Sequence, residues 1–237
     1  MIFMRLLLLR IEGPLQSWGE NSKWDDRDTS SVPTKSGIIG LISCCMGLQR
    51  DDRYILNLQS MLSIAIRADI PGLIGVDYQT IKAEQLMNAN GKYKPEKSNT
   101  IISHRQYIQD ASYLVVISSP DNSLLDKIDY ALKHPHWVPY LGRKSCVPTV
   151  PLIAEDTSVY MSIEEALCMH PFCERAIEHQ LNKYNQGLFH AECDSLSGEY
   201  THNDCLINTE KRAYSSRSVK YLTIQKETAN VSITTNS

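Results

Sequence analysis

The chain has 237 residues, of which 42% are hydrophobic and 22% charged, and 24 Lys and Arg against 27 Asp and Glu leave a net charge of −3. This is enough apolar material for a sizeable core, and the balance excludes a polyanion binder of uniformly basic surface. The seven cysteines are odd in number and irregularly spaced, no apolar run reaches membrane-span length, and Arg5 and Arg10 bracket the apolar N-terminal run. The expectation is therefore a cytoplasmic protein with reduced thiols, no secretory leader and no membrane contact.

In chain order, FMRLLLLRIEG reads as a short buried strand and PLQSWGENSKWDDRDTSSVPT as a polar loop. KSGIIGLISCCMGLQ has helical apolar spacing, with Ser36 as N-cap and Gly47 near its end. DDRYILNLQSML is a second helix with acids in its first turn, and LSIAIRAD alternates as a half-buried strand does. From Pro71 to about Arg105 extended pieces flank the polar tip NANGKYKPEKSN, which predicts a long projecting hairpin. DASYLVVIS is a buried strand, and DNSLLDKIDYALKH a helix capped by Asp121. PTVPLIAE and SVKYLTIQK are candidate later strands, SIEEALCMH is a short helix, residues 171–215 read as loop-rich, and the last residues are expected to fray. With a later strand, the order β-α-α-β-arm-β-α is an α+β, ferredoxin-like βαββαβ plan. The expected division is a core over 1–152, with its arm at about 71–106, and an irregular C-terminal region over 153–237.

Charge lies in blocks. Glu155 to Asp204 holds ten acids against Arg175 and Lys183, whereas Lys211 to Lys226 holds five basic residues and no acid. Separate blocks suggest different partners for different faces, and the acidic block is expected to face solvent or a neighbouring protein.

VPTKSGIIGLISCCMGLQRDD is where a family becomes visible, with GPLQSWG before it and RQYIQDASYLVVI, PYLGRKSC followed by PL, and YSSRSVKYLTI after it. In this order the segments resemble the CasD family, the subunit of type I-E CRISPR Cascade complexes that caps the 5′ end of the guide RNA. The resemblance is dense over residues 5–152. It implies a RAMP-superfamily fold (RRM-like, with a thumb-like β-hairpin), partnership with the crRNA 5′ handle and with the backbone and large Cascade subunits, and access to target DNA only through the complex. It also implies binding without cleavage, and no cofactor.

A single-stranded handle is recognised through unstacked bases, bent backbone and 2′-hydroxyls, which calls for cations, small residues and flat side chains. In PYLGRKSC, Gly142 permits close approach and positive φ, Arg143 and Lys144 suit phosphates, Ser145 offers a hydroxyl, and Tyr140 can stack. Lys35, Ser36 and Gly37 open a helix whose N-terminus favours an anion. Gln16 and Trp18 can read and stack on a base, and Arg50 and Arg217 are further phosphate candidates. On the arm, Lys82, His104, Arg105 and Tyr107 suit an RNA-kinking thumb, together with Lys92, Tyr93, Lys94 and Lys97 nearer the tip.

Two rival chemistries stand beside this. Metal-independent RNA cleavage needs a general base and a phosphate cation, and His104, Tyr107 and Lys82 are the set that would supply them. A zinc site would draw on the repeated His-x-x-Cys spacing of His190, Cys193, His202 and Cys205, although zinc is more often held by Cys-x-x-Cys or longer His-His spacings.

Overall fold

The computed structural model describes residues 5–21, 25–83, 86–87, 91–93, 100–154, 160–173, 175–176, 187–194, 198, 200–226 and 231–235, with backbone alone at 187–190, 192, 225–226 and 231–235. In chain order the elements are β1 (Leu6–Glu12), β2 (Leu15–Gln16), β3 (Asp26–Arg27), α1 (Lys35–Met46), α2 (Tyr54–Met61), β4 (Ser63–Ile70), β5 (Leu73–Lys82), β6 (Thr100–Gln109), β7 (Ser112–Ser118), α3 (Asn122–Lys133), α4 (Ile163–Met169), β8 (Gly187–Asp194), β9 (Tyr200–Asn208), β10 (Ala213–Lys226) and β11 (Val231–Thr235).

This is a mixed α/β fold on two sheets. The larger runs β1-β7-β4-β8-β10, all antiparallel, and the outer edge of β10 is shared by β9 and β11. At the other edge, Ile153 bridges Leu9, with Arg10 N–H donating to the Leu152 carbonyl and Ala154 N–H to that of Leu8, so residues 152–154 line the free side of β1. The apolar run of β1 follows from burial on both faces. Leu7, Leu9 and Ile11 enter the core under α1, α2 and α3, while Leu6 and Leu8 enter a second core with Leu167 of α4 and Phe172. The smaller sheet is the β5–β6 hairpin, with β2 and β3 on the free edge of β6.

Several expectations are corrected. The N-cap of α1 is Thr34, whose hydroxyl accepts from Gly37 N–H, and Ser36 lies inside the first turn; Gly47 ends the helix at φ 75° as expected. Asp51 and Asp52 precede α2 rather than opening it. β4 is buried along almost its whole length, because α-helical layers cover both faces of the sheet. The C-terminal region, expected to be irregular, contributes β8, β9 and β11 to the main sheet. These polar stretches carry weak local signals and become strands through pairing with β10 and β4.

Candidate nucleic-acid interface

A loop beside β2 organises the site. Ser17 N–H donates to the Leu141 carbonyl at 3.1 Å, Leu141 N–H to that of Cys146 at 2.7 Å, and Cys146 N–H to that of Arg143 at 2.8 Å, closing a tight 141–146 turn. Gly142 lies at φ 84°, and a Cβ there would fall 1.7 Å from the Ser17 carbonyl oxygen. Only glycine fits both the conformation and the contact.

This turn presents Arg143 to the base of the hairpin. Its guanidinium lies 4.5 Å from the centre of the Tyr107 ring on β6, and Nη2 donates to the Arg27 carbonyl at 3.2 Å. Nη1 is buried with no hydrogen-bond partner among the described residues. The parallel register of β3 and β6 sets Arg27 beside Arg105. Three guanidinium-bearing residues therefore converge on one corner.

That corner opens into a groove of about 1270 Å³ along α1. Among the described residues its lining carries six cations, Arg27, Arg50, Arg105, Arg143, Lys144 and Arg212, and no carboxylate. Arg50, Arg105, Arg143, Lys144 and Arg212 have no carboxylate partner among the described residues. In a chain of net charge −3 this is a strong local concentration of positive charge. Tyr140, Ser145, Ser36 and Gly37 join the lining, with Trp137 and Val138 as an apolar bank. The thiol of Cys44, also in the lining, is pushed up by burial against the opposing pull of Lys144.

Other predicted residues lie elsewhere. Gln16 is fully buried: its amide donates to the Ala111 carbonyl at 2.9 Å and its Oε1 accepts from Trp18 Nε1 at 3.0 Å. Trp18 is 1% exposed and packs on Gly37, where a Cβ would meet its ring at 2.6 Å. These two side chains support the groove from within rather than present a stacking surface. Lys35 and Arg217 are held by acids: Lys35 Nζ lies 2.8 Å from Asp194, and Arg217 is 2.7 Å from Asp194 and 2.6 Å from Asp204. The anion at the start of α1 is internal, for Asp204 Oδ2 accepts the Lys35 N–H at 2.6 Å. So two acids of the block expected to face outward, Asp194 and Asp204, turn inward.

The sequence matches the family described as "CRISPR-associated protein (Cas_Cas5)" over residues 6–220. The chain belongs to the Cas5 family.

Among curated proteins, this Cas5-family chain is 35% identical over 160 residues to "CRISPR system Cascade subunit CasD" of Escherichia coli (strain K12), covering 62% of this chain and 68% of the relative. Among solved structures it is similar to a chain of a "CRISPR RNA-guided surveillance complex", with a TM-score of 0.72 and 30% identity over 93% of this chain and 90% of that one. It is also similar to a "Crystal structure of Cas protein", with a TM-score of 0.66 and 27% identity over 92% and 94% of the two chains.

In the Cas5-family hairpin, Arg105 and Tyr107 reach the groove. His104 is exposed on the opposite face of β6, edge-on to Tyr78 at 5.5 Å. Lys82 pairs with Thr100, four residues along from His104, or about 13 Å at strand rise. The candidate cleavage set is thus dispersed over both faces and the length of the hairpin. Lys92 and Tyr93 lie near the tip, while Lys94 and Lys97 fall outside the described residues. The two His-x-x-Cys motifs lie on β8 and β9, which β10 separates. Cys193 is buried in the second core, and His202 sits between Tyr221, at 2.9 Å, and Glu20, at 3.5 Å; the His190 side chain lies outside the described residues. Cys205, on β9, pairs with Ser215 of β10, whereas Cys193 pairs with Lys220. The three with described side chains, Cys193, His202 and Cys205, do not assemble into one ligand set.

Sequence reasoning missed Arg27, Trp137, Arg212 and Tyr214. Arg212 and Tyr214 belong to the basic run 211–226, whose charge was a usable signal, whereas Arg27 was concealed by the acids of WDDRD.

Proposed function

We propose that this chain is a guide-RNA-binding subunit of a type I-E Cascade complex in the cytoplasm, which holds the 5′ handle of the crRNA without cutting it. The observation that carries this is the groove that starts at the 140–145 turn, whose described lining holds six cations and no carboxylate. Guanidiniums crowded at one corner repel one another until a polyanion joins them, and the buried Nη1 of Arg143, which has no hydrogen-bond partner among the described residues, is a donor placed to meet an acceptor. Tyr140 and the half-exposed Trp137 offer flat surfaces for unstacked bases. Similarity to a Cascade subunit and to a chain of an RNA-guided surveillance complex supports this reading, in which a backbone subunit lies beside the handle, the large subunit lies near it, and target DNA is reached through the assembly.

In this reading the order β1-β7-β4, with residues 152–154 outside β1, is the ferredoxin-like core, and the β5–β6 hairpin is the thumb. The 1–152 unit supplies most of the RNA site, and the 153–237 region extends the sheet. The dispersal of His104, Tyr107 and Lys82 favours binding over metal-independent cleavage.

The test uses purified chain with labelled single-stranded RNA from the host's own CRISPR repeat, without added metal, scoring retention on a filter and cleavage on a gel in one tube. Uncut RNA retained by wild type and lost by the Arg143→Ala/Lys144→Ala double variant is the expected result. Site-specific cleavage, or equal retention by both proteins, would overturn the proposal.

A further inference from the structure

The groove extends beyond the corner built around Arg143. Its floor is α1, where Ser36, Gly40 and Cys44 recur every fourth residue and share a face. A Cβ on the exposed Gly40 would meet nothing within 4 Å, so the floor is open to close approach there. A helix of 12 residues is about 18 Å long. Arg27, Arg105 and Arg143 gather by the Ser17–Trp18 corner, which packs on Gly37 at the start of α1. At the far end the lining passes through Leu48 and Arg50 and is met by Arg212 and Tyr214 from the β9–β10 turn.

That turn is tied in place. The buried Thr209 hydroxyl donates to the Asp51 carbonyl at 3.0 Å, directly after Arg50, and Asn208 Oδ1 accepts the Lys211 N–H at 2.8 Å. Arg212 is held at φ 51°, a conformation arginine rarely adopts, with its guanidinium carbon 5.8 Å from the Tyr214 ring centre. Both side chains are exposed, Tyr214 to 39%. A flat ring and a guanidinium with no carboxylate partner among the described residues, presented by an anchored turn over a groove whose described lining is cationic, form the pair that an unstacked base with its phosphate requires.

We propose that Arg212 and Tyr214 are the far wall of the RNA site: a single strand engaged at Arg143 runs along α1 and leaves past the β9–β10 turn, with one base stacked on Tyr214 and a phosphate at Arg212. This rests on the reading of the groove as an RNA site and adds a C-terminal element to it. The wall selects single-stranded RNA, because a paired base has no free face to offer the ring.

The test measures the affinity of the full chain for labelled single-stranded repeat RNA at several salt concentrations, with Arg212→Gly, Tyr214→Leu, Tyr214→Phe and Arg143→Ala/Lys144→Ala. Glycine is at home at the φ of Arg212, so Arg212→Gly removes the guanidinium without threatening the fold. The expected result is binding about tenfold weaker for Tyr214→Leu, near wild type for Tyr214→Phe, and weaker for Arg212→Gly with a salt slope lower by up to about one unit, all at unchanged Tm. Wild-type binding by Arg212→Gly and Tyr214→Leu, with loss in the Arg143→Ala/Lys144→Ala variant, would overturn the far wall and leave the groove reading intact. Wild-type binding by every variant would overturn both. Equal loss in Tyr214→Phe and Tyr214→Leu would overturn stacking as the role of the ring.

Discussion

Gly142 and Ser17 meet backbone to backbone, so closely that a Cβ on Gly142 would lie 1.7 Å from the Ser17 carbonyl oxygen. The turn bearing Arg143 is thereby pressed against the segment that carries Trp18. Gly142→Ala must both abandon φ 84° and move the turn off Ser17. The conformational part alone costs about 1–2 kcal/mol. The expected outcome is a lower urea midpoint, together with weaker RNA retention per folded molecule.

Arg143 differs from lysine in the way that matters here, because its planar fork lies over the Tyr107 ring while bonding the Arg27 carbonyl. Arg143→Lys keeps the charge and loses both contacts. Its RNA affinity is expected to fall at all salt concentrations while the salt slope stays near wild type, whereas Arg143→Ala lowers the slope by about one unit or less. Titrations over a series of salt concentrations separate the two effects.

Asp204 is a structural anchor: its carboxylate, 1% exposed, accepts from Arg217 and from the first N–H of α1. Asp204→Ala removes one carboxylate from a buried guanidinium and leaves an unsatisfied helix start. Breaking a buried pair of this kind costs about 3–5 kcal/mol. Chemical denaturation should show that loss, while RNA binding by the folded fraction stays close to wild type.

Lys220 holds the Glu164 carboxyl below the ordinary glutamate value, and Glu164 in turn raises the Lys220 ammonium. Stability from the lowered glutamate is present above its unfolded pKa and is lost as pH falls through the folded one; stability from the raised lysine is present below its unfolded pKa and is lost as pH rises through the folded one. The pair therefore acts across the neutral range. Both side chains are over 40% exposed, so its worth stays below about 1 kcal/mol. Lys220→Met should lower Tm slightly at pH 7, with the difference shrinking toward strongly acid pH.

Local chemistry was legible in the sequence. The apolar runs of β1 and β7 required burial, Asp121 capped α3 through the N–H groups of Ser123 and Leu124, and PYLGRKSC declared a glycine-dependent basic turn. Each of these depends on residues a few positions apart. What the tertiary structure decided depends on distant partners. Lys35 and Arg217 have the residue type of phosphate ligands, yet Lys35 is held by Asp194 from the far end of the chain, and Arg217 by Asp194 and Asp204 on the two strands that flank its own. Gln16 and Trp18 satisfy each other inside the protein, a choice made by packing on Gly37 and Ala111. Arg212 and Tyr214 join Arg50 because Thr209 reaches the Asp51 carbonyl across the fold. Charge and residue type can be read along a chain, but whether a cation faces an RNA groove or a buried carboxylate depends on which strands pair, and strand pairing is a long-range property.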